Sequence, residues 1–298
     1  MSNQIALTTD AVESLPRVNE FKRFRRVFLG RGLVVFGLIV ITAYIILAIF
    51  APFIAPYDPF EPDLSHALSS PNSAHLLGTD ALGRDTLSRI IYGTRTSLMI
   101  GLIVVAIACG VGMTLGTLAG FYGGWTNIII MRFIDALMSF PMILLALVVA
   151  ALLGSGIRNV IIALGVAMMP GYARVMCGQV MSVKENDYIV AGRSVGTSNM
   201  RLMLRHVVPN CISPLLVMIT MMLGGVVLAE AGLSFLGIGI TPPTPSWGGM
   251  VNDGRQYLLT LPILSFAPGG ALMLLVFGFN MIGDGLRDAL DPRLRGAI

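Results

Sequence analysis

The chain has 298 residues, of which 55% are hydrophobic and 12% charged, with a formal net charge of +4. A water-soluble domain carries about a quarter charged residues, so this composition excludes an ordinary soluble globule and requires a bilayer as solvent. The basic excess is modest and no basic groove is interleaved with aromatics, which excludes nucleic acid as a partner.

In chain order, residues 1–16 read as disordered. Phe21, Phe24 and Phe28 then repeat at i, i+3 and i+7 among Lys22, Arg23, Arg25 and Arg26. This fits a basic amphipathic helix on the inner membrane surface, and equally a tail whose charges only set topology. Six apolar runs follow, at 33–56, 97–121, 133–153, 157–175, 213–237 and 261–283. A span needs about 20 residues, so the expected fold is an all-α bundle of six transmembrane helices. The first run is too long for a cleaved signal segment and reads as a retained helix. The third holds Asp135 and Pro141, the fourth breaks at Pro170–Gly171, and the sixth opens with Pro262 and Pro268. Membrane helices accept such breakers where neighbours satisfy the freed backbone groups. Residues 57–96 and 238–260 form long outer loops and 176–212 a long inner one, and loops of that length carry function.

With the N-terminus inside, 15 of the Lys and Arg residues fall on inner segments and 5 on outer ones. That is the direction of the positive-inside rule, so both termini are expected in the cytoplasm. Cys109, Cys177 and Cys211 form no CxxC pair and no disulfide is expected.

The inner segment 182–210 reads SVKENDYIVAGRSVGTSNMRLMLRHVVPN. Its Pro-free first part reads as a helix ending at Val195. Gly196 stops it, because Gly takes the left-handed conformation that ends helices. Thr197 or Ser198 caps a second helix. In that helix Met200, Met203, Leu204 and Val207 form an apolar stripe, and Pro209 closes it. A cytoplasmic apolar stripe must bury against its own bundle or against another protein.

This segment resembles the EAA loop of permease subunits in binding-protein-dependent ABC importers. Ala191, Gly192, Gly196, Val208 and Pro209 match that pattern, and Val190 stands where the family has Glu. Three further stretches resemble the C-type permease subunit of the peptide and nickel branch. They are HLLGTDALGRDTLSRIIYGTRTSL (75–98), LAEAGLSFLGIGITPPTPSWGGMVNDGR (228–255) and IGDGLRDALDPRLR (282–295). Together the matches cover most of residues 33–298. The resemblance implies the type I importer permease fold in the bacterial cytoplasmic membrane, surrounded by membrane lipid. It implies a sister permease subunit, two P-loop ATPase subunits and an extracytoplasmic solute-binding protein. It also implies alternating-access import of peptides or similar small solutes. Coupling to the ATPases would run through Ala191, Gly192, Gly196, Met200, Met203, Leu204 and Pro209. The chain then divides into a cytoplasmic tail (1–32), a first span with its external loop (33–96) and a permease core (97–298).

No G-x-x-x-x-G-K-[ST] run occurs, so ATP and its Mg are assigned to partner subunits and no cofactor to this chain. Glu230 is the one carboxylate well inside a clear span. It reads as a packing residue bonded to a neighbouring helix in preference to a pathway group. Asp135 and Asp284 are expected to pair with Arg132 and Arg287. The Gly-x-Gly-Asp pattern of an intramembrane protease fails at Met281, and no HExxH is present. His66, His75 and His206 lack metal-ligand spacing, and His75 is expected to bond within its own loop near Asp80 and Asp85. Met221 and Met222 read as core, or as an adaptable pathway lining. Trp247, after the stiff PPTPS run, is expected at the membrane interface. The rival reading is a self-sufficient secondary transporter or channel, whose ion-coupling site would have only Glu230 available.

Overall fold

A computed structural model of the chain describes residues 20–290. The segment 1–16, the side chains of 20–23 and the end of the 282–295 motif lie outside the described residues. The elements are α1 (Glu20–Leu29), α2 (Gly32–Ile54), α3 (Thr86–Tyr122), α4 (Gly124–Met138), α5 (Met142–Leu153), α6 (Ile157–Val183), α7 (Asp187–Ser194), α8 (Asn199–Leu202), α9 (Val208–Phe235), α10 (Trp247–Gly254) and α11 (Ile263–Leu290). Five helices are long and apolar enough to cross a membrane: α2, α3, α6, α9 with the turns leading into it, and α11. Among the described residues the pair α4–α5, bent by 88°, is apolar enough only together, and counts as a sixth crossing when taken as one broken span.

The six apolar runs recur with changed edges. α3 is 37 residues long, about 55 Å by helix rise, and its first turns take up 86–96 of the expected outer loop. Those turns hide polar Thr86, Ser88, Arg89 and Thr94 inside the protein, where a hydropathy window sees only a loop. α6 passes through Pro170 and runs on to Val183, so Arg174 lies inside the helix and not at its inner end.

The closest pairing is α3 against α6. Gly112, Gly116 and Gly120 lie one turn apart on α3. A Cβ at each would stand 2.6, 2.4 and 2.8 Å from the carbonyl oxygens of Met169, Ala173 and Cys177. Small residues at this spacing let two membrane helices touch along their backbones, where dispersion replaces the hydrophobic drive that lipid cannot supply. Val104, Ala108, Tyr172 and Met176 pack around the seam, and Val207, Leu215 and Val226 join them. α11 lies between α9 and α2, and Gly37 of α2 meets the Gly278 carbonyl. Phe24 and Phe28 stack at 5.5 Å, and Phe28 reaches Gly285, so this side of α1 leans on the end of α11.

Two expected ion pairs change partners. Asp135 meets Arg174 of α6 and not Arg132, because the neighbouring helix brings a guanidinium to it. Near the C-terminal end of α11 Asp288, not Asp284, holds a cation, and that cation is Arg31.

The segment between α2 and α3 folds around Asp80. Its carboxylate accepts the N–H groups of Leu82 and Arg84 and the Nε of Arg84 at 2.8 Å, and Arg89 lies 3.4 Å away. Asp85 caps α3 by accepting from Ser88 N at 2.8 Å, and also meets His75 Nδ1 at 3.0 Å, so His75 does bond within its loop. Bonds from Ser65 and His66 hold the Asp63 carboxyl down at about 2. Trp247 is fully buried within the protein. Gly93 leaves room for its indole, whose Nε1 donates to Ile90 O at 3.1 Å, and Tyr44 stands edge-on at 5.8 Å. With its one polar atom satisfied, the ring acts as a core residue joining α2, α3 and α10.

Gly116→Leu is expected to lower stability by about 1–3 kcal/mol or to prevent folding. Gly110→Leu, where an added Cβ meets nothing within 4 Å, leaves it unchanged. Melting in detergent at matched yield checks this, and equal melting of both variants would remove the seam. For the outer junction, Trp247→Phe costs about 1 kcal/mol for the lost hydrogen bond. Trp247→Ala costs about 3–5 kcal/mol. Both are read from the order of Tm values.

Candidate coupling hairpin

Between α6 and α9 the chain makes a short helical hairpin. α7 has Asp187 in its first turn and Arg193 in its last, both on the side the helix dipole favours. At its end Gly196 takes φ +80°. Gly196 N donates to Arg193 O at 3.0 Å and Thr197 N to Gly192 O at 3.1 Å, the bond pair of a Schellman stop. The chain reverses there into α8. A Cβ on Gly192 would stand 2.8 Å from Leu202 Cδ2, so the two arms of the hairpin touch at that glycine.

The second arm does not end at Pro209. α8 passes into a π-helical stretch, Met203–Val207, and that stretch runs directly into α9. A proline ring clashes with the carbonyl four residues earlier, and the wider π turn relieves the clash without breaking the helix. Asn210 Nδ2 donates to His206 O at 2.6 Å at the same place. The expected stripe therefore splits. Met203 and Val207 are buried with Leu202 and Ile189 in the main core, while Met200 and Leu204 are exposed. Tyr188, Val190 and Val195 are exposed on the same hairpin, Val195 at 81%. These three fall outside the stripe. Their signal in the sequence is only that they are apolar and flank Ile189 and Gly192, which face inward.

Two cations root the hairpin on α3. Lys184 Nζ donates to Gly120 O at 3.1 Å, at the helix end where carbonyls carry negative partial charge. The Arg193 guanidinium lies 5.5 Å above the Phe121 ring centroid. Ala191 lies beside these contacts on the exposed side of α7. The hairpin thus has a fixed root and an uncovered apolar tip.

Glu230 lies far from this hairpin, near the outer end of α9. It is 0% exposed, which its position near a membrane edge did not predict. Its Oε1 accepts from Ser234 Oγ at 2.7 Å, and that hydroxyl accepts from Ile240 N at 3.0 Å. The bond is within its own helix and on to the following loop, not to a neighbouring helix. Among the described residues, no three His, Cys, Asp or Glu side chains converge as a metal site. Cys109, Cys177 and Cys211 are buried free thiols.

This architecture has known counterparts. Residues 112–296 match the family of the binding-protein-dependent transport system inner membrane component, and 20–71 match the N-terminal TM domain of oligopeptide transport permease C. The chain is 42% identical over 263 residues to the dipeptide transport system permease protein of Alkalihalophilus pseudofirmus, covering 88% of this chain and 86% of that one. It is 41% identical over 276 residues to the glutathione transport system permease protein of Pectobacterium atrosepticum, covering 92% of each. Among solved structures, the inward-facing MetNI methionine ABC transporter matches with a TM-score of 0.55 at 18% identity, over 68% of this chain and 96% of that chain, a likeness of fold. The glycine seam, the hairpin, α6 and α9 fall inside residues 112–296, and the chain belongs to the family of binding-protein-dependent transport system inner membrane components, as a multi-pass permease subunit of an ABC importer.

Proposed function

We propose that this permease carries peptides or similarly small solutes inward by alternating access, with both termini in the cytoplasm. A sister permease completes the pathway, and an extracytoplasmic binding protein delivers the solute. Two partner ATPases bind and hydrolyse ATP with Mg at their own sites, since this sequence has no P-loop. The solute class follows the relatives named for dipeptide and glutathione transport.

The observation that carries the coupling part is the division of the hairpin into a buried root and an exposed apolar tip. Val190, Val195, Met200 and Leu204 offer a partner groove an apolar knob. Ala191, Gly192 and Gly196 set the angle at which it projects. Met203 and Pro209 act from inside, as root and as the joint to α9. A push on the tip then reaches the bundle through covalent helix on one arm and through Lys184 and Arg193 on the other.

Gly196→Val forces a β-branched residue into the left-handed region, at a cost of about 1–2 kcal/mol or more. The variant is expected to insert normally, transport poorly and show reduced binding-protein-stimulated ATP hydrolysis, with Gly196→Ala intermediate. Wild-type uptake and stimulation in Gly196→Val, at equal membrane abundance, would refute the joint. Met200→Asp and Leu204→Asp should leave the permease folded and weaken co-purification of the ATPases, whereas Met203→Asp should lower the yield of the permease itself. Orientation is checked with impermeant thiol labels on intact cells. Ser73→Cys should react from outside and Asn199→Cys should not, and the reverse pattern would overturn the topology.

A further inference from the structure

By helix rise, Pro170 lies about 20 Å along α6 from Ile157, near the middle of the crossing. Opposite it the α4–α5 crossing breaks by 88°. Both breaks line one open cavity of about 360 Å3, together with Met138, Met142, Met168, Met218 and Met222. The first backbone bond of α5 is Leu145 N to Pro141 O, which leaves the N–H groups of Met142, Ile143 and Leu144 without helical acceptors. Pro170 leaves the Val166 carbonyl without its helical donor. Open backbone at membrane depth persists only inside protein or beside water. The residues at the break, 138–144, are exposed.

One turn nearer the cytoplasmic end, Asp135 and Arg174 pair across α4 and α6. Asp135 precedes Met138 by three residues and Arg174 follows Pro170 by four, so both lie on the cavity side of their helices. Their side chains are 47% and 51% exposed. Yet Arg174 is about 14 Å from the inner end of α6 at Val183. Facing lipid there would cost about 2.5 kcal/mol or more per charge. This face therefore meets water or protein.

We propose, on the importer reading above, that this face is the chain's half of the solute pathway and that the Asp135–Arg174 pair is its polar station, taking the ammonium group of a zwitterionic, peptide-like solute on Asp135 and its carboxylate on Arg174. A fixed carboxylate beside a fixed guanidinium complements the two ends of such a solute. In this structure the two groups satisfy each other, and the solute exchanges one ion pair for two. That near-balanced exchange suits a station that must release what it takes. Among the described residues none that lines the cavity itself is charged, and its methionines repack around side chains of different shape, so the station reads the backbone charges and not the side chains.

The test uses the whole complex with its ATPases, sister permease and binding protein in proteoliposomes. The probes are labelled alanyl-alanine and glutathione. Asp135→Leu with Arg174→Met replaces the pair by apolar residues of similar size, which a merely structural ion pair tolerates. The double variant should assemble to wild-type abundance and keep stimulated ATP hydrolysis, and lose uptake by about tenfold or more. Wild-type uptake in the double variant would overturn the station. Should it fail to assemble, Asp135→Asn is the second variant, with the same expected and overturning outcomes. Met218→Cys, with the three native cysteines replaced by alanine, should react with a hydrophilic thiol reagent in the assembled complex, and no reaction would overturn the pathway face. Wild-type complex that stimulates ATP hydrolysis but takes up neither probe would overturn the zwitterion assignment alone. A complex with no binding-protein-stimulated hydrolysis would remove the importer reading instead.

Discussion

Gly112, Gly116 and Gly120 bring the backbone of α3 onto that of α6, and the register of the contact rises along both helices together. The two therefore run parallel. Two parallel membrane helices in succession need a return crossing between them, and a seam with no room for a Cβ has no room for that return. The crossing must pass outside the pair. α4 packs against both α3 and α6 and α5 against α6, with the 88° break between them. The open backbone at the break is local: Pro141 caps α5, whose first N–H groups have no helical acceptors.

The same helix links the two faces of the membrane. α3 is about 55 Å long by rise, well beyond the roughly 30 Å hydrocarbon core. Its outer extension carries Arg89, the capping contact with Asp85 and the slot at Gly93 that receives Trp247. Its inner end carries Gly120 and Phe121, on which Lys184 and Arg193 rest. Burial pushes the Asp253 carboxyl up where α10 meets this outer extension, and Arg89 and Arg84 act against that rise. The outer cap and the inner hairpin are therefore mounted on one rod.

What could be read from the sequence follows the range of the signal. Apolar runs are local, and all six appear as crossings. Gly196 is a local stop, and it takes the left-handed conformation expected of it. The resemblance of 182–210 to the EAA loop located the hairpin. The stripe on its second arm was misread because i, i+3, i+4 assumes 3.6 residues per turn throughout. The π stretch inserts an extra residue per turn, so Met203 and Val207 separate from Met200 and Leu204. Trp247 could not be placed, because its slot is made by Gly93 and Tyr44, far away in the chain. The buried polar turns of 86–96 fail for a related reason, since hydropathy reports composition and not partners. Asp135 was paired with the nearest arginine in sequence, when its partner came from the next crossing.

The hairpin touches two rods by two different kinds of bond. Its first arm follows α6 and is held to the end of α3 by an ammonium–carbonyl bond and a cation–π contact, both individually weak. Its second arm is covalently continuous with α9 through a π turn. On the proposed coupling reading, a displacement of the tip moves α9 directly, while the α3–α6 pair resists through its seam and meets the hairpin at Lys184, Arg193 and the buried Ile189. Motion is then relative: α9 shifts against a rigid pair. Pro170 and Gly171 on that pair and Met218 on α9 face one another across the cavity at the α4–α5 break. A shift of α9 against α6 changes the width of that cavity along with the packing of α9 on α3 and α11. In physical terms the hairpin is tied to the cavity by one continuous helix, with no chain of intermediate side chains needed to carry the coupling.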